Sequence, residues 1–198
     1  MYLLYDNIDN YTNSQYNNYE KILNKRDKLK LNKLIRDSDK KLFLLSRYLL
    51  TKLLKDMYDI NYSNQNIFVN KYGKPFIKNV YFNITHSKNY SVVCASKNRI
   101  GIDIEKIRRV NLNTINYFCT TGEKEYIMNS VDKYKSLFEI FCLKEAYFKM
   151  LGYNLSNIKN IEFVINKDNI ICSNDRNIDI FLNNDIDNCV IAIIEEKN

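Results

Sequence analysis

The chain has a single proline, four glycines, one histidine and no tryptophan. With so little glycine and proline, Asn and Asp must supply most of the turns, since both tolerate the left-handed backbone region. The five cysteines, Cys94, Cys119, Cys142, Cys172 and Cys189, are odd in number, widely spaced and never arranged as CxxC. With one histidine available, that spacing argues against a zinc site and for a reduced, cytoplasmic compartment in which most cysteines are small core residues. No apolar run approaches the ~18 residues of a membrane-spanning helix. MYLLYDNIDN has no basic leader before an apolar stretch, so no signal peptide is expected. No helix-turn-helix, zinc-finger or RNP pattern stands out.

What is present is ordinary for a soluble globular protein: 198 residues, 45% hydrophobic and 27% charged. That length suffices for one large domain or two small lobes with a sizeable core. The abundance of Asn, Lys, Ile and Tyr fits an AT-rich coding bias and carries no functional weight. The net charge of +7 favours anionic partners: nucleic acid, nucleotide phosphates, acidic proteins or an anionic membrane surface. Charge alone does not choose among them.

Between Asp39 and Met57 the leucines Leu42, Leu45, Leu49, Leu50, Leu53 and Leu54 recur at helical spacing with Lys and Arg between them, which predicts a long amphipathic helix. From Gln65 to Ala95 the pattern is strand-like. NIFVN and VYFNIT flank a Gly73-Lys74-Pro75 turn, and YSVVCAS follows. IGIDIE is another strand, residues 112–129 and 133–151 read as helices, and IEFVI, NIIC, IDIFL and CVIAIIEE close the chain as strands, several in hairpins. Helix then strands, followed by helices then strands, predicts two similar α+β lobes, residues 1–98 and 99–198, with SVVCAS and CVIAII as equivalent strands.

Three stretches bear chemistry. In IGIDIE, Ile100, Ile102 and Ile104 share one face of a strand, while Asp103 and Glu105 project from the other, with Gly101 leaving room beside them. Like charges held so close raise each other's pKa, a cost that a hard cation such as Mg²⁺ removes. The alternation equally fits an edge strand with a solvated polar face. In FEIFCLKEAYFKMLG, Glu145 and Lys149 lie four apart on one helix face. This is either a surface ion pair or, if the face lies over Asp103 and Glu105, a third carboxylate with Lys144 and Lys149 as phosphate-neutralising cations. In NKYGKPFIKNVYFNITHS, Lys74 centres a turn, and His86 stands between Thr85 and Ser87 at a strand end. That histidine fits a structural role or a phosphate contact.

Taken together, YGKP (Tyr72 to Pro75), FNITHS (Phe82 to Ser87), GIDIE (Gly101 to Glu105) and FCLKEAYFK (Phe141 to Lys149) resemble the 4′-phosphopantetheinyl transferases of the surfactin-synthetase-activating type. They occur in that family's order and approximate spacing, over Asn70 to Gly152, with a looser likeness at NKRDK (Asn24 to Lys28). The resemblance implies transfer of the phosphopantetheine arm of coenzyme A to a serine of an apo acyl or peptidyl carrier protein. Adenosine 3′,5′-bisphosphate would be released, in a cleft between two pseudo-symmetric lobes that form one pseudo-dimeric catalytic unit. It assigns Asp103, Glu105 and Glu145 to Mg²⁺, with Mn²⁺ as a substitute, and Glu145, Lys149 and Asp103 to catalysis, Glu145 being the base for the carrier serine. Coenzyme A would be held by Lys25, Lys28, Lys74, Pro75, Thr85, His86, Lys144 and Lys149. The expected partner is an acidic carrier protein, without nucleic acid or membrane, and the expected state a monomer.

The pattern departs from the family at Phe141, where a tryptophan is usual, and at Thr85, where a serine is usual. It departs again around Leu42 and Phe43, where a basic or hydroxyl contact to the 3′-phosphate is expected. A further acidic residue maps onto either Glu123 or Glu125. The rival readings are a basic nucleic-acid-binding module without catalysis, which leaves GIDIE and KEAYFK unexplained, and an inactive coenzyme A-binding homologue.

Overall fold

In the computed structural model the described residues are 1–152, 158–166, 169–184, 186 and 188–197. The first half runs through β1 (Tyr2–Asn7), α1 (Asn13–Lys21), α2 (Lys25–Leu31) and α3 (Asp37–Tyr58). It continues with β2 (Phe68–Val69), β3 (Pro75–Phe76), β4 (Tyr81–Ser87) and β5 (Tyr90–Ser96). The second half holds β6 (Ile100–Lys106), α4 (Ile115–Phe118), α5 (Thr121–Asn129), α6 (Lys133–Leu151), β7 (Phe163–Asn166), β8 (Asn169–Cys172), β9 (Ile178–Asn183) and β10 (Cys189–Glu196).

Each half builds a three-stranded antiparallel sheet, ordered β1-β5-β4 in the first and β6-β10-β9 in the second. The long helix α3 packs on the first sheet and α6 on the second. Strand, long helix, strand, strand therefore recurs, with β1 matching β6, α3 matching α6, β4 matching β9 and β5 matching β10. SVVCAS and CVIAII are the central strands of the two sheets. The fold is α+β in two pseudo-symmetric sheet-and-helix lobes.

The leucines of α3 form the core of the first lobe, with Leu45, Leu50 and Leu54 wholly buried. The helix ends at Asp59, in the left-handed region at φ 53°. Asn79 and Asn188 also take positive φ, so Asn and Asp do serve as turn formers here. Between the sheets lies a separate core, in which Val92 and Cys94 of β5 meet Ile100, Ile102 and Ile104 of β6 and Ile191 and Ile193 of β10. All five cysteines are free and buried. Among the described residues no helix is long and apolar enough to cross a membrane.

Two expectations need correction, and three elements were not anticipated. Residues 112–129 are not one helix. Thr120 turns extended (ψ 174°) and caps α5 in a reciprocal box with Glu123, which separates it from α4. NIFVN gives only the two-residue strand β2, paired with β3 across the Gly73 turn. And β1, α1 and α2 have no counterpart in the sequence reading. α1 is Asn-rich, yet Thr12 and Gln15 form a capping box, and Tyr19 stacks on Tyr48 at 4.1 Å.

Candidate active site

Strand β6 presents its isoleucines to the inter-lobe core and its other face to α6 and β4. The sequence reading expected Gly101 to leave room beside the carboxylates; instead α6 fills that space, and a Cβ at Gly101 would lie 2.0 Å from the carbonyl oxygen of Ala146. This close approach brings Lys149 Nζ within 2.5 Å of Asp103 Oδ1. β4 adds a polar row. Asn83 Oδ1 accepts from the Ile102 N–H at 2.9 Å, Thr85 Oγ1 donates to Asp103 Oδ1 at 3.0 Å, and Ser87 Oγ donates to Glu105 Oε2 at 3.4 Å. The alternation Asn83-x-Thr85-x-Ser87 is a period-two polar face; the sequence reading selected Thr85, and the same signal could have added Asn83 and Ser87.

Asp103 is 5% exposed, and burial pushes its carboxyl pKa up against the opposing pull of Lys149 and Thr85. Both partners engage Oδ1, and among the described residues the buried Oδ2 has no hydrogen-bond partner. Such an oxygen is costly unless something else completes it. Glu105, half-buried, pairs with Arg108 Nη1 at 2.9 Å. Glu145 is also half-buried, and its pKa is raised, first by burial and then by the charges of Asp103 and Glu105, with Lys149 opposing. Among the described residues no cluster of three His, Cys, Asp or Glu side chains converges closely enough to grip a metal. Lys149 and Arg108 instead neutralise Asp103 and Glu105. An all-oxygen set with a buried, unpartnered oxygen nevertheless suits a hard cation.

Beside this cluster lies a cavity of about 480 Å³, walled by Pro75 and His86 on one side and by Leu42, Phe43, Ser46 and Arg47 of α3 on the other. Arg47, which the sequence reading did not select, stacks on Phe43 at 4.2 Å and lies 3.0 Å from the buried Asp27. Lys25 and Lys28 are exposed on α2 and are not among the lining residues. On the other side of Glu105, Phe141 and Phe118 meet edge-to-face at 5.4 Å in an apolar groove that Arg108 also borders.

Two expected coenzyme A contacts are corrected. Lys144 is wholly buried and points away from Glu145. It donates to the carbonyls of Phe118, Ile158 and Ile161 and pairs with Glu123 at 2.8 Å. Glu123 is thereby committed to the interior, while Glu125 is exposed. Lys74 is the second correction. Its ammonium donates to the backbone carbonyls of Ile100, Lys149 and Met150 and not toward the cavity.

Two family models match the chain in succession. The N-terminal model of 4′-phosphopantetheinyl transferase covers residues 10–98, and the 4′-phosphopantetheinyl transferase superfamily model covers residues 99–193. The chain belongs to the 4′-phosphopantetheinyl transferase superfamily. It is 33% identical over 114 residues to the transferase gsp of Aneurinibacillus migulanus, covering 55% of this chain and 47% of that one. It is 28% identical over 118 residues to Sfp of Bacillus subtilis (strain 168), covering 57% of this chain and 53% of that one. A Xenopus laevis L-aminoadipate-semialdehyde dehydrogenase-phosphopantetheinyl transferase is 24% identical over 147 residues, 64% of this chain and 49% of that one. The chain thus matches about half the length of these curated relatives.

Proposed function

We propose that this chain transfers the phosphopantetheine arm of coenzyme A to a serine of an apo acyl or peptidyl carrier protein, releasing adenosine 3′,5′-bisphosphate. The observation that carries this reading is Asp103, a buried carboxylate with one oxygen shared by Lys149 and Thr85 and the other without a partner among the described residues. Asp103, Glu105 and Glu145 would hold Mg²⁺, or Mn²⁺ in its place, which when bound supplies positive charge beside the diphosphate.

The remaining roles fall to the chain's own groups. Lys149 binds phosphate oxygens and offsets charge building on the leaving group. His86 and Pro75, in the wall of the cavity, and Thr85 beside Asp103 hold the nucleotide from the first lobe, while the carboxylates come from the second. Residues 1–98 and 99–198 thus act as one pseudo-dimeric unit, which we take to work as a monomer in the cytoplasm. Glu145, whose raised pKa brings it nearer the working pH, takes the proton of the carrier serine. The groove around Phe141, bordered by Arg108, suits a helix with apolar contacts and acidic flanks, as on an acidic carrier.

The test is intact-mass spectrometry of apo acyl and apo peptidyl carriers incubated with the purified chain, coenzyme A and Mg²⁺. A gain equal to the phosphopantetheine arm is expected. It should vanish with EDTA and return with Mg²⁺ or Mn²⁺, but poorly with Zn²⁺, because the donors are all oxygen. Carriers left unmodified by a folded, Mg²⁺-supplied chain would sink the reading.

A further inference from the structure

Helix α6 ends inside the molecule, so its last carbonyls need donors. Gly152, in the left-handed region at φ 71°, returns its own N–H to Phe148 O at 2.8 Å. The carbonyls of Lys149 and Met150 are met from the other lobe. Lys74 Nζ donates to both, the latter at 3.3 Å, and also to Ile100 O at 2.7 Å. One ammonium thus joins the end of the helix that carries Lys149 to the first residue of the strand that carries Asp103.

The turn that delivers this lysine is itself fastened to the same place. Asn70 Oδ1 accepts from the N–H groups of Tyr72 and Lys74, each at 2.9 Å, and Asn70 Nδ2 donates to Gly152 O at 3.4 Å. The fit is tight, since a Cβ on Gly152 would come within 2.3 Å of Asn70 Nδ2. An ammonium has three N–H donors, and three carbonyls take them all, leaving none for a phosphate. A cation against the carbonyl end of a helix also has the favourable sign for the helix dipole. Burial lowers the pKa of Lys74 to about 8, which is still above neutral pH, so the ammonium form predominates there. The next residue, Pro75, walls the cavity of the first lobe.

We propose that Lys74 is a positioning residue, a cap supplied across the lobe boundary that fixes the last turn of α6 and thereby holds Lys149 on Asp103. It also ties that pair to the cavity wall at Pro75. The role assigned to Lys149 rests on the transferase reading above; the capping itself does not.

Lys74→Met keeps the length and removes the donors, and two measurements on the full chain test it. Hydrogen exchange of the amides at Lys149 to Gly152 should quicken by about ten-fold while the sheet amides keep their protection. In carrier loading, kcat should fall on the order of 10- to 100-fold, as expected when a reacting group is displaced by about an ångström, with KM for the carrier unchanged. The loss in Lys74→Met/Lys149→Met should not exceed that in Lys149→Met alone, because Lys74 acts through Lys149; a merely structural role would make the two losses multiply. If Lys74→Met fails to fold, Asn70→Ala, which loosens the same turn, should quicken the same amides to a smaller degree. Unchanged exchange at the end of α6 would overturn the cap. Faster exchange with wild-type kcat, or multiplying losses, would overturn the coupling to Lys149. A wild-type chain that loads no carrier would overturn the transferase reading instead, and the exchange measurement would still decide the cap.

Discussion

At the scale of single residues, Asp103 carries a conflict between burial and charge. Two donors crowd onto Oδ1, yet desolvation outweighs them and the folded-state pKa lies above the ordinary value. For an acid shifted in that direction, the favourable contribution is complete below the unfolded-state pKa and is lost as pH rises through the folded-state value. Asp103→Asn has no charge to lose. At neutral pH and without divalent metal it should therefore melt at a higher temperature than the wild type, and the gap should close as pH falls below the carboxylate range. Lys149 is partly exposed and can turn to water in the variant. Transfer at saturating Mg²⁺ should meanwhile fall about 100-fold, the loss expected when one group that stabilises transition-state charge is removed. Melting curves across pH, run beside the loading assay, check both halves. An Asn variant that is less stable at pH 7 and fully active would show Asp103 to be an ordinary structural carboxylate.

At the scale of elements, α6 sorts three neighbouring charges into two roles. Successive helical residues point ~100° apart, so Lys144 and Glu145 cannot share a face, whereas Glu145 and Lys149 do. Lys144 has 0% exposure and its partner Glu123 has 1%. Lys144→Met should leave Glu123 buried beside an apolar group, at a cost of about 3–5 kcal/mol. In a chain of this size that lowers Tm by roughly 10 °C or more. The folded fraction should keep wild-type transfer, because the buried Lys144 ammonium is taken up by Glu123 and three carbonyls; a selective rise in KM for coenzyme A with unchanged Tm would restore it as a phosphate contact. The helix itself was legible from its period. Its inward-facing lysine was not, because α6 is buried almost all round, from Leu137 and Phe138 through Leu143 to Phe148, and such a helix has no polar stripe to orient it. For the same kind of reason Lys74 looked like a ligand contact: the sequence shows a lysine in a turn, not the three carbonyls of another lobe that the fold brings to it. The carboxylate strand was readable, since period-two alternation fixes which residues share a face whatever lies opposite. β1 was missed because YLLYDN lacks that alternation. α1 was missed because its helix signal lies in the Thr12–Gln15 box and not in its Asn-rich body.

At the scale of the whole molecule, the two halves repeat one plan and share a buried core between their sheets. The first half's sheet offers Val92 and Cys94 to the second, and the second offers Ile100, Ile102 and Ile104, each at most 1% exposed. Burying an isoleucine contributes about 1.5–3 kcal/mol, so these three alone supply on the order of 5–9 kcal/mol. That is comparable with the whole net stability of a typical domain, about 5–15 kcal/mol. The polar row from Asn83 to Ser87 and the Lys74 cap cross the same boundary and lose their partners if the halves separate. The lobes should therefore unfold together. In urea, the far-UV circular dichroism and tyrosine fluorescence transitions should coincide, with 16 tyrosines and no tryptophan providing the fluorescence. Residues 1–98 expressed alone should expose the apolar face of β5 and fail to show a cooperative transition. Two separated transitions in the full chain, or a stably folded 1–98 fragment, would mean that the inter-lobe core is a contact between independent domains. The proposed site, with Thr85 and His86 on one side and Asp103, Glu145 and Lys149 on the other, would then need a closing motion that the fused core otherwise makes unnecessary.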